Sequence, residues 1–277
     1  AIGLDALQAN TTGASNVAIG TNALDTNTTG ESNTACGRSA LFANTTGDFH
    51  VAIGAGALSA NTTAIQNTAV GYQALALNTT ANYNAAFGYH TLKNNTTGTE
   101  NTGLGRAALF NNTTASGNTA VGYNSLVSNT TGIDNVAVGS ESLNANTTGN
   151  YNVGIGRSAL SSNTTGERNT SIGMNSLDAN STGSHNTAVG QAALRYNTSS
   201  NNTAVGKQAL QTNTTGGNNT AVGVESLKAN TTGTQNVAVG SNALTANTTG
   251  ANNCAFGKEV LLTNTTGTTN VAVGNFS

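Results

Sequence analysis

The chain has 277 residues, of which 36% are hydrophobic and 7% are charged, and its formal net charge is -2. This charge excludes the basic surface that nucleic acid or an anionic membrane would require, so we expect no nucleic-acid partner. The apolar runs are far shorter than the ~20 residues of a membrane-spanning helix, so we expect no membrane insertion of this segment.

One repeat of 17 residues recurs along the whole chain. Each repeat is marked by an Asn-Thr-Thr-like triplet, and consecutive triplets start 17 residues apart except for one interval of 16, between Asn197 and Asn213. A single repeat cannot fold alone, because burial of its few apolar side chains at ~25 cal/mol per Å² does not offset ordering at ~1.5 kcal/mol per residue. Residues 1–277 are therefore predicted to form a single array of about 16 stacked coils, an all-β parallel β-solenoid with one 17-residue repeat per coil.

The repeat begins at its triplet, which predicts a tight polar corner. The two residues that follow the corner are unrelated from repeat to repeat, as in Ala14-Ser15 and Asp48-Phe49. Such variation is typical of a surface turn. The 16-residue repeat is expected to have lost its residue in this variable pair.

The triplet also fits the Asn-x-Ser/Thr acceptor motif for asparagine-linked glycosylation in every repeat. The candidates are Asn10, Asn27, Asn44, Asn61, Asn78, Asn95, Asn112, Asn129, Asn146, Asn163, Asn180, Asn197, Asn213, Asn230, Asn247 and Asn264. Two alternatives stay open: the asparagines form stacked amide ladders, or the neighbouring threonine hydroxyls carry the sugars. Crowding limits any glycan, because acceptors on successive coils lie only ~4.8 Å apart.

A strand is predicted next, in five-residue segments such as NVAIG at 16–20 and NTAVG at 67–71. The alternation of β-branched residues places Val17 and Ile19 on one face and Ala18 on the other. The face that carries Ile19 is apolar in every repeat and is predicted to be buried. The opposite face is restricted to Ala, Gly or Ser, which predicts that another part of the structure packs closely against it.

A second turn and an invariant leucine complete the repeat. Two variable residues, such as Ser140-Glu141, precede a small residue and then a leucine that occurs in every repeat. These two residues before the small residue are predicted to be solvated. The leucines, for example Leu109, are predicted to lie in the core within a short extended segment. The segment is too short to hold a helix.

No set of residues predicts catalysis. His50, His90 and His185 occupy different positions of the repeat and build no metal column, and the acidic residues form no recurring pair. Cys36 and Cys254 lie too far apart along the array to form a disulfide. We therefore expect no enzymatic activity, no cofactor and no metal.

The strand NTAVG, the Ala-Leu pair and the NTTG corner resemble the head repeats of trimeric autotransporter adhesins of the YadA type. They are still more similar to the NTTG-bearing repeats of some bacterial and phage tail-fibre-like surface proteins. The resemblance covers the whole chain and implies a left-handed β-roll with three chains side by side, which meet at the small-residue face. The repeat is longer than in the adhesins and close to the coil length of single-chain left-handed β-helices, so a trimer and a single-chain coil both stay open.

An array of similar coils without a reactive constellation suits spanning a distance. We expect a structural segment of a longer extracellular fibre or filament, at a cell or virion surface, which continues end to end as a homo-oligomer, favoured as a trimer, and which glycans can coat. One alternative is an adhesin or phage tail-fibre shaft that binds surface glycans or receptors through outward residues such as Tyr72, Tyr89 and Tyr123. Another is an ice-binding protein that uses rows of threonine.

Overall fold

The computed structural model describes residues 1–277 and contains sixteen β-strands of three residues each and no helix. In chain order the strands are β1 Val17–Ile19, β2 Thr34–Cys36, β3 Val51–Ile53, β4 Thr68–Val70, β5 Ala85–Phe87, β6 Thr102–Leu104, β7 Thr119–Val121, β8 Val136–Val138, β9 Val153–Ile155, β10 Thr170–Ile172, β11 Thr187–Val189, β12 Thr203–Val205, β13 Thr220–Val222, β14 Val237–Val239, β15 Cys254–Phe256 and β16 Val271–Val273. Each strand is shorter than the five residues predicted.

The chain divides into two compact units, Ala1–Asn135 with β1 to β7 and Val136–Ser277 with β8 to β16. Within each unit, every strand pairs in parallel with the next strand along the chain. The predicted all-β parallel β-solenoid, with one 17-residue repeat per coil, is confirmed.

The repeat sets the register of the strands. Ala18 lies opposite Ala35 and Ile19 lies opposite Cys36, so equivalent positions of successive repeats stack on one another. Side chains of one kind therefore form columns within each unit, as the sequence predicts.

The leucines fill the interior of each coil. In Ala1–Asn135 the Leu column consists of Leu7, Leu24, Leu41, Leu58, Leu75, Leu92, Leu109 and Leu126, and in Val136–Ser277 it consists of Leu143, Leu160, Leu177, Leu194, Leu210, Leu227, Leu244 and Leu261. All of them are buried except Leu7 and Leu261, which are partly exposed. The prediction that the leucines form the core is confirmed.

The faces of the strand are reversed relative to the prediction. Ala18 is 1% exposed, whereas Val17 and Ile19 on either side of it are 46% and 41% exposed. The reason is the narrow interior of the coil: at Gly154, an added Cβ would lie 3.2 Å from Leu143 Cγ and 2.7 Å from Ser142 Oγ. Only a small residue fits against the leucine of the preceding coil, so the small face points inward and the larger β-branched side chains point outward.

The segment around each leucine is a turn instead of the extended piece predicted. Leu109 has a φ of 54° and Ala107 a φ of 56°, both in the left-handed region. Non-glycine residues enter this region at a cost, which the surrounding contacts must offset. The backbone N–H of Leu109 donates to the carbonyl oxygen of Ser125 in the next coil at 3.1 Å, and its side chain is buried, so these contacts hold the turn.

A glycine ends each strand because neighbouring coils approach closely there. Gly20 has a φ of 130°, and a Cβ at this position would lie 2.7 Å from the carbonyl carbon and oxygen of Gly37 in the next coil. The column of glycines at this position is thus required by the backbone alone.

Candidate functional site

The corner asparagines, which are the first residues of the triplets, lie inside the coils. Fourteen of the sixteen are buried, and only Asn10 and Asn264 are partly exposed. In a typical member, Nδ2 of Asn44 donates to Oδ1 of Asn27 in the preceding coil at 2.8 Å and to the carbonyl oxygen of Gly47 at 3.0 Å. The amide-ladder alternative is therefore confirmed.

These contacts bear on the glycosylation predicted at the corner asparagines. A sugar linked to an asparagine replaces one hydrogen of Nδ2, whereas in Asn44 both of these hydrogens are donated and the residue is fully buried. A glycan at this position would break the ladder and open the coil. The folded geometry disfavours this modification at the buried members, and for Asn10 and Asn264 it stays a prediction.

A second ladder is formed by the strand asparagines, which directly precede the strands. In Asn101, Nδ2 donates to the carbonyl oxygen of Ala115 at 2.8 Å, and Oδ1 accepts the backbone N–H of Asn118 at 3.0 Å. Each coil thus contributes one side-chain amide to each of two buried columns. The polar groups of these amides are satisfied by the neighbouring coils. The sequence pattern alone indicated only the first.

His50 replaces a strand asparagine and makes equivalent contacts. Its Nε2 donates to the carbonyl oxygen of Ala64 at 2.7 Å, and its Nδ1 accepts the backbone N–H of Asn67 at 3.2 Å, so the neutral Nε2–H tautomer fits the site. Burial lowers the pKa of His50, and this effect outweighs the hydrogen bonds with Ala64 and Asn67 and the charge of Asp48, which raise it. The histidine is part of the fold, which its 17-residue distance from Asn33 indicates in retrospect.

The two threonines of each corner differ in their surroundings. The first corner threonine uses its hydroxyl within the fold: Oγ1 of Thr96 donates to the carbonyl oxygen of Thr113 in the next coil at 3.0 Å. The second corner threonine, for example Thr97, is exposed, and its hydroxyl makes no hydrogen bond within the protein. The hydroxyl of the second corner threonine is therefore accessible to a ligand or an enzyme, whereas that of the first is used within the fold.

The 16-residue coil has lost a second corner threonine. Nδ2 of Asn186 donates to the carbonyl oxygen of Ser199 at 2.8 Å, the bond that other strand asparagines make to the residue after the triplet. Ser199 thus occupies the place of the corner glycine, the glycine that follows the triplet in most repeats. The prediction that the variable pair is shortened is therefore wrong. Nδ2 of Asn197 also turns to Ser199, at 2.8 Å, which leaves the buried Oδ1 of Asn180 without a hydrogen-bond partner.

The outward strand face consists of the first and third residues of every strand. In Ala1–Asn135 the third residues are Ile19, Cys36, Ile53, Val70, Phe87, Leu104 and Val121. In Val136–Ser277 they are Val138, Ile155, Ile172, Val189, Val205, Val222, Val239, Phe256 and Val273. All of them are partly or fully exposed, and most first residues are valine or threonine. Each unit therefore carries an uninterrupted apolar stripe on its surface.

A short ladder of aromatic and cationic side chains lies on the surface of the first unit. The rings of Tyr72 and Tyr89 are stacked, with centroids 5.4 Å apart and an interplanar angle of 17°. The guanidinium of Arg106 lies 5.9 Å from the ring centroid of Tyr89 and 5.3 Å from that of Tyr123. Because the ring faces are turned toward one another and toward Arg106, their edges and hydroxyls are what a ligand would meet.

The remaining reactive side chains form no site in this structure. No group of three or more His, Cys, Asp or Glu residues is placed to hold a metal ion, and Cys36 and Cys254 are both free thiols. His90 packs against the ring of Tyr89 with centroids 3.9 Å apart, while His185 is exposed. The structure contains no helix that could span a membrane.

Comparisons with protein-family models, with curated proteins and with solved structures find no match for this chain. The fold itself defines its class: a tandem-repeat β-solenoid of stacked coils. The resemblance to YadA-type and NTTG-bearing repeats stays a prediction from the residues.

Proposed function

We propose that the chain is a structural segment of an extracellular fibre at a cell or virion surface, and that its copies associate side by side through the outward strand face. The observation that carries the proposal is the apolar stripe on each unit, with Ile19 and Ile53 each 41% exposed and Phe87 39% exposed. Contiguous exposed apolar surface of this kind marks an interaction site. The resemblance to YadA-type head repeats favours three copies.

A second copy of the chain is the partner that suits this face. The stripe repeats with the spacing of the coils, so an identical stripe meets it with the same period along its length. Like-charge repulsion between copies is small, because only 7% of residues are charged and the net charge is -2. The contact predicted at the small-residue face cannot form, since Ala120 and its equivalents are inside the coil.

Two adjacent residues provide the test. Val121→Asp places a charge on the outward strand face, whereas Ala120→Asp places one in the interior. We expect native mass spectrometry to show a homo-oligomer for the parent chain and a monomer with unchanged circular dichroism for Val121→Asp. Ala120→Asp should unfold the coils around it. A parent chain that is monomeric at every concentration would contradict the proposal.

Continuation of the fibre follows the same hydrogen-bonding pattern as the coils. The edge strand β16 has exposed side chains at Val271 and Val273, and its outer edge is unpaired within residues 1–277. An open parallel edge pairs readily with another strand. We propose that another copy of the chain extends the stack there.

A second candidate function is attachment, as in an adhesin or phage tail-fibre shaft. The ladder of Tyr72, Tyr89, Arg106 and Tyr123 favours it, because phenol and guanidinium groups at one surface can bind the hydroxyls of surface glycans. Replacing Tyr72 and Tyr123 by Ser should abolish attachment to the target surface and leave the oligomer intact. Unchanged attachment would remove this candidate.

Ice binding has less support from the geometry. The second corner threonines form one row per unit, and the large side chains of Phe87 and Leu104 make the outward strand face uneven. A flat two-row array of threonine is therefore not formed. Thermal hysteresis measured on the purified protein would restore this alternative.

A further inference from the structure

The second corner threonines are the constant feature of the exposed surface. They are Thr12, Thr29, Thr46, Thr63, Thr80, Thr97, Thr114, Thr131, Thr148, Thr165, Thr182, Thr215, Thr232, Thr249 and Thr266. Every one of them is exposed. Other exposed positions of the repeat, such as those of Phe49 and Tyr72, change freely from coil to coil.

The fold explains the other constant positions but not this one. Asn44 is needed for the amide ladder, Gly20 for the close approach of coils, and Leu109 for the core. The hydroxyl of Thr97 makes no bond within the protein. The coil that begins at Asn197 forms without any second corner threonine. The hydrogen bonds and packing of the coil therefore do not require the threonine hydroxyl at this position.

We propose that the hydroxyls of the second corner threonines are acceptors of O-linked neutral sugars. A glycosyltransferase would supply an activated sugar, a nucleotide-linked or lipid-linked sugar phosphate. Oγ1 attacks the anomeric carbon, the bond from that carbon to the phosphate oxygen breaks as the glycosidic bond forms, and the hydroxyl proton passes to a base on the transferase. The leaving group is the nucleotide or lipid phosphate, so no oxidant or reductant is involved.

Several properties of the coil select this chemistry. The corner asparagines are buried, and the hydroxyls of the first corner threonines are already donated to carbonyl oxygens, as in Thr96. Acceptors on successive coils lie ~4.8 Å apart, about the thickness of one sugar ring, so short unbranched glycans fit. Phosphates at this spacing would repel one another, and the chain has only nine Lys and Arg residues to neutralise them. Neutral sugars avoid this repulsion and keep a surface of low charge hydrated.

The inference rests on the proposed function only because an exported chain would meet such a transferase. Its own test is site mapping on the protein isolated from its natural source, by intact mass and electron-transfer fragmentation of peptides. We expect mass increments of neutral sugars on the second corner threonines. The peptide covering 197–212 is an internal control, since its coil lacks the acceptor, and it should carry no sugar at its corner.

Two neighbouring variants separate modification from folding. Thr97→Val, produced in the source organism, should lose one glycan and keep its melting temperature. Thr96→Val should keep that glycan and melt at a lower temperature, because it loses the hydrogen bond to Thr113. An intact mass equal to that of the unmodified chain, or sugars confined to asparagines or to the variable pairs, would overturn the inference. The count of chains in the oligomer is measured independently, so either proposal can fail alone.

Discussion

In fourteen of the sixteen coils the side chain of the leucine is fully buried while its backbone is in the left-handed region. Leu109 has 0% exposure and a φ of 54°. Leu109→Ala should lower the free energy of unfolding by ~2–4 kcal/mol, because the narrow coil cannot collapse around the cavity. Chemical denaturation of the variant measures this loss. The control is Val121→Ala on the outward strand face, which should cost a dissociated chain less than ~1 kcal/mol; equal losses would contradict this packing.

Protonation of the single side chain of His50 makes the stability of the folded chain depend on pH. Burial lowers its pKa, so the unfolded chain takes up a proton at a higher pH than the folded chain. Stability should therefore be complete above about pH 6.5 and decrease as the pH falls toward the folded pKa of His50. Protonation would also place an N–H on Nδ1 against the backbone N–H of Asn67. Melting temperatures measured between about pH 7.5 and pH 5 test this.

His50→Asn restores the ladder and should remove most of this dependence. A smaller part should remain, because burial and the charges of Lys93 and Arg106 lower the pKa of His90 in the same direction. His185→Asn changes an exposed histidine and is the matched control, with a pH profile like that of the parent chain. If His50→Asn keeps the full pH dependence, the assigned role of His50 is wrong.

Periodicity in the sequence predicts which residues share a face but not which face is inside. The alternation of Val17, Ala18 and Ile19 is found as predicted, and the Leu column is buried. Hydrophobicity favoured burial of Ile19, yet the interior already holds leucines and two columns of amides, so only alanine, glycine or serine fits. The volume available inside a coil depends on how the whole repeat closes. Residue types at single positions do not report that volume.

At the scale of the corner, the amide ladder is the element that ties one coil to the next. Its break lies between Asn180 and Asn197, where a buried acceptor has no partner. Insertion of Thr between Thr198 and Ser199, combined with Ser199→Gly, rebuilds the NTTG corner. It should raise the free energy of unfolding by ~1–3 kcal/mol, because the Oδ1 of Asn180 regains its donor. Amide hydrogen exchange of the strand asparagines on either side measures the gain locally.

A matched insertion tests whether length alone is responsible. Gly inserted between Ser200 and Asn201 also gives a 17-residue coil, but it leaves the corner as it is. We expect no gain in stability from this variant. Equal gains from both insertions would show that the ladder does not determine stability here.

The sequence of the corner predicts a turn and a ladder but not the position of the deletion. The variable pair tolerates any residue, so a loss there is the simpler reading of the sequence. The hydrogen bonds of Ser199 instead follow those of the corner glycine. The candidate acceptor sites illustrate the same limit: a motif identifies Asn44 as a glycosylation acceptor, while burial inside the coil decides its chemistry.

At the scale of the whole molecule, most backbone hydrogen bonds join a coil to its neighbours, as in Leu24 N–H to Ala40 oxygen at 3.0 Å. Stability in such an array is a sum of repeat terms and nearest-neighbour terms. The damage from Leu109→Ala should therefore spread only a few coils. Hydrogen exchange should accelerate around Leu92 and Leu126 and stay unchanged around Leu24 in the same unit.

Association between copies would couple the stability of coils in different chains, and hydrogen exchange detects this coupling as well. If copies pack through the outward strand face, Val121→Asp should dissociate the oligomer. The strand amides of β6 and β7 should then exchange faster, and exchange should also rise at β1 and β2, far from the substitution. Dilution of the parent chain below its dissociation constant is the control and should give the same pattern without any substitution. A change confined to the coils beside Val121, with none on dilution, would mean that the apolar stripe has another partner than a copy of this chain.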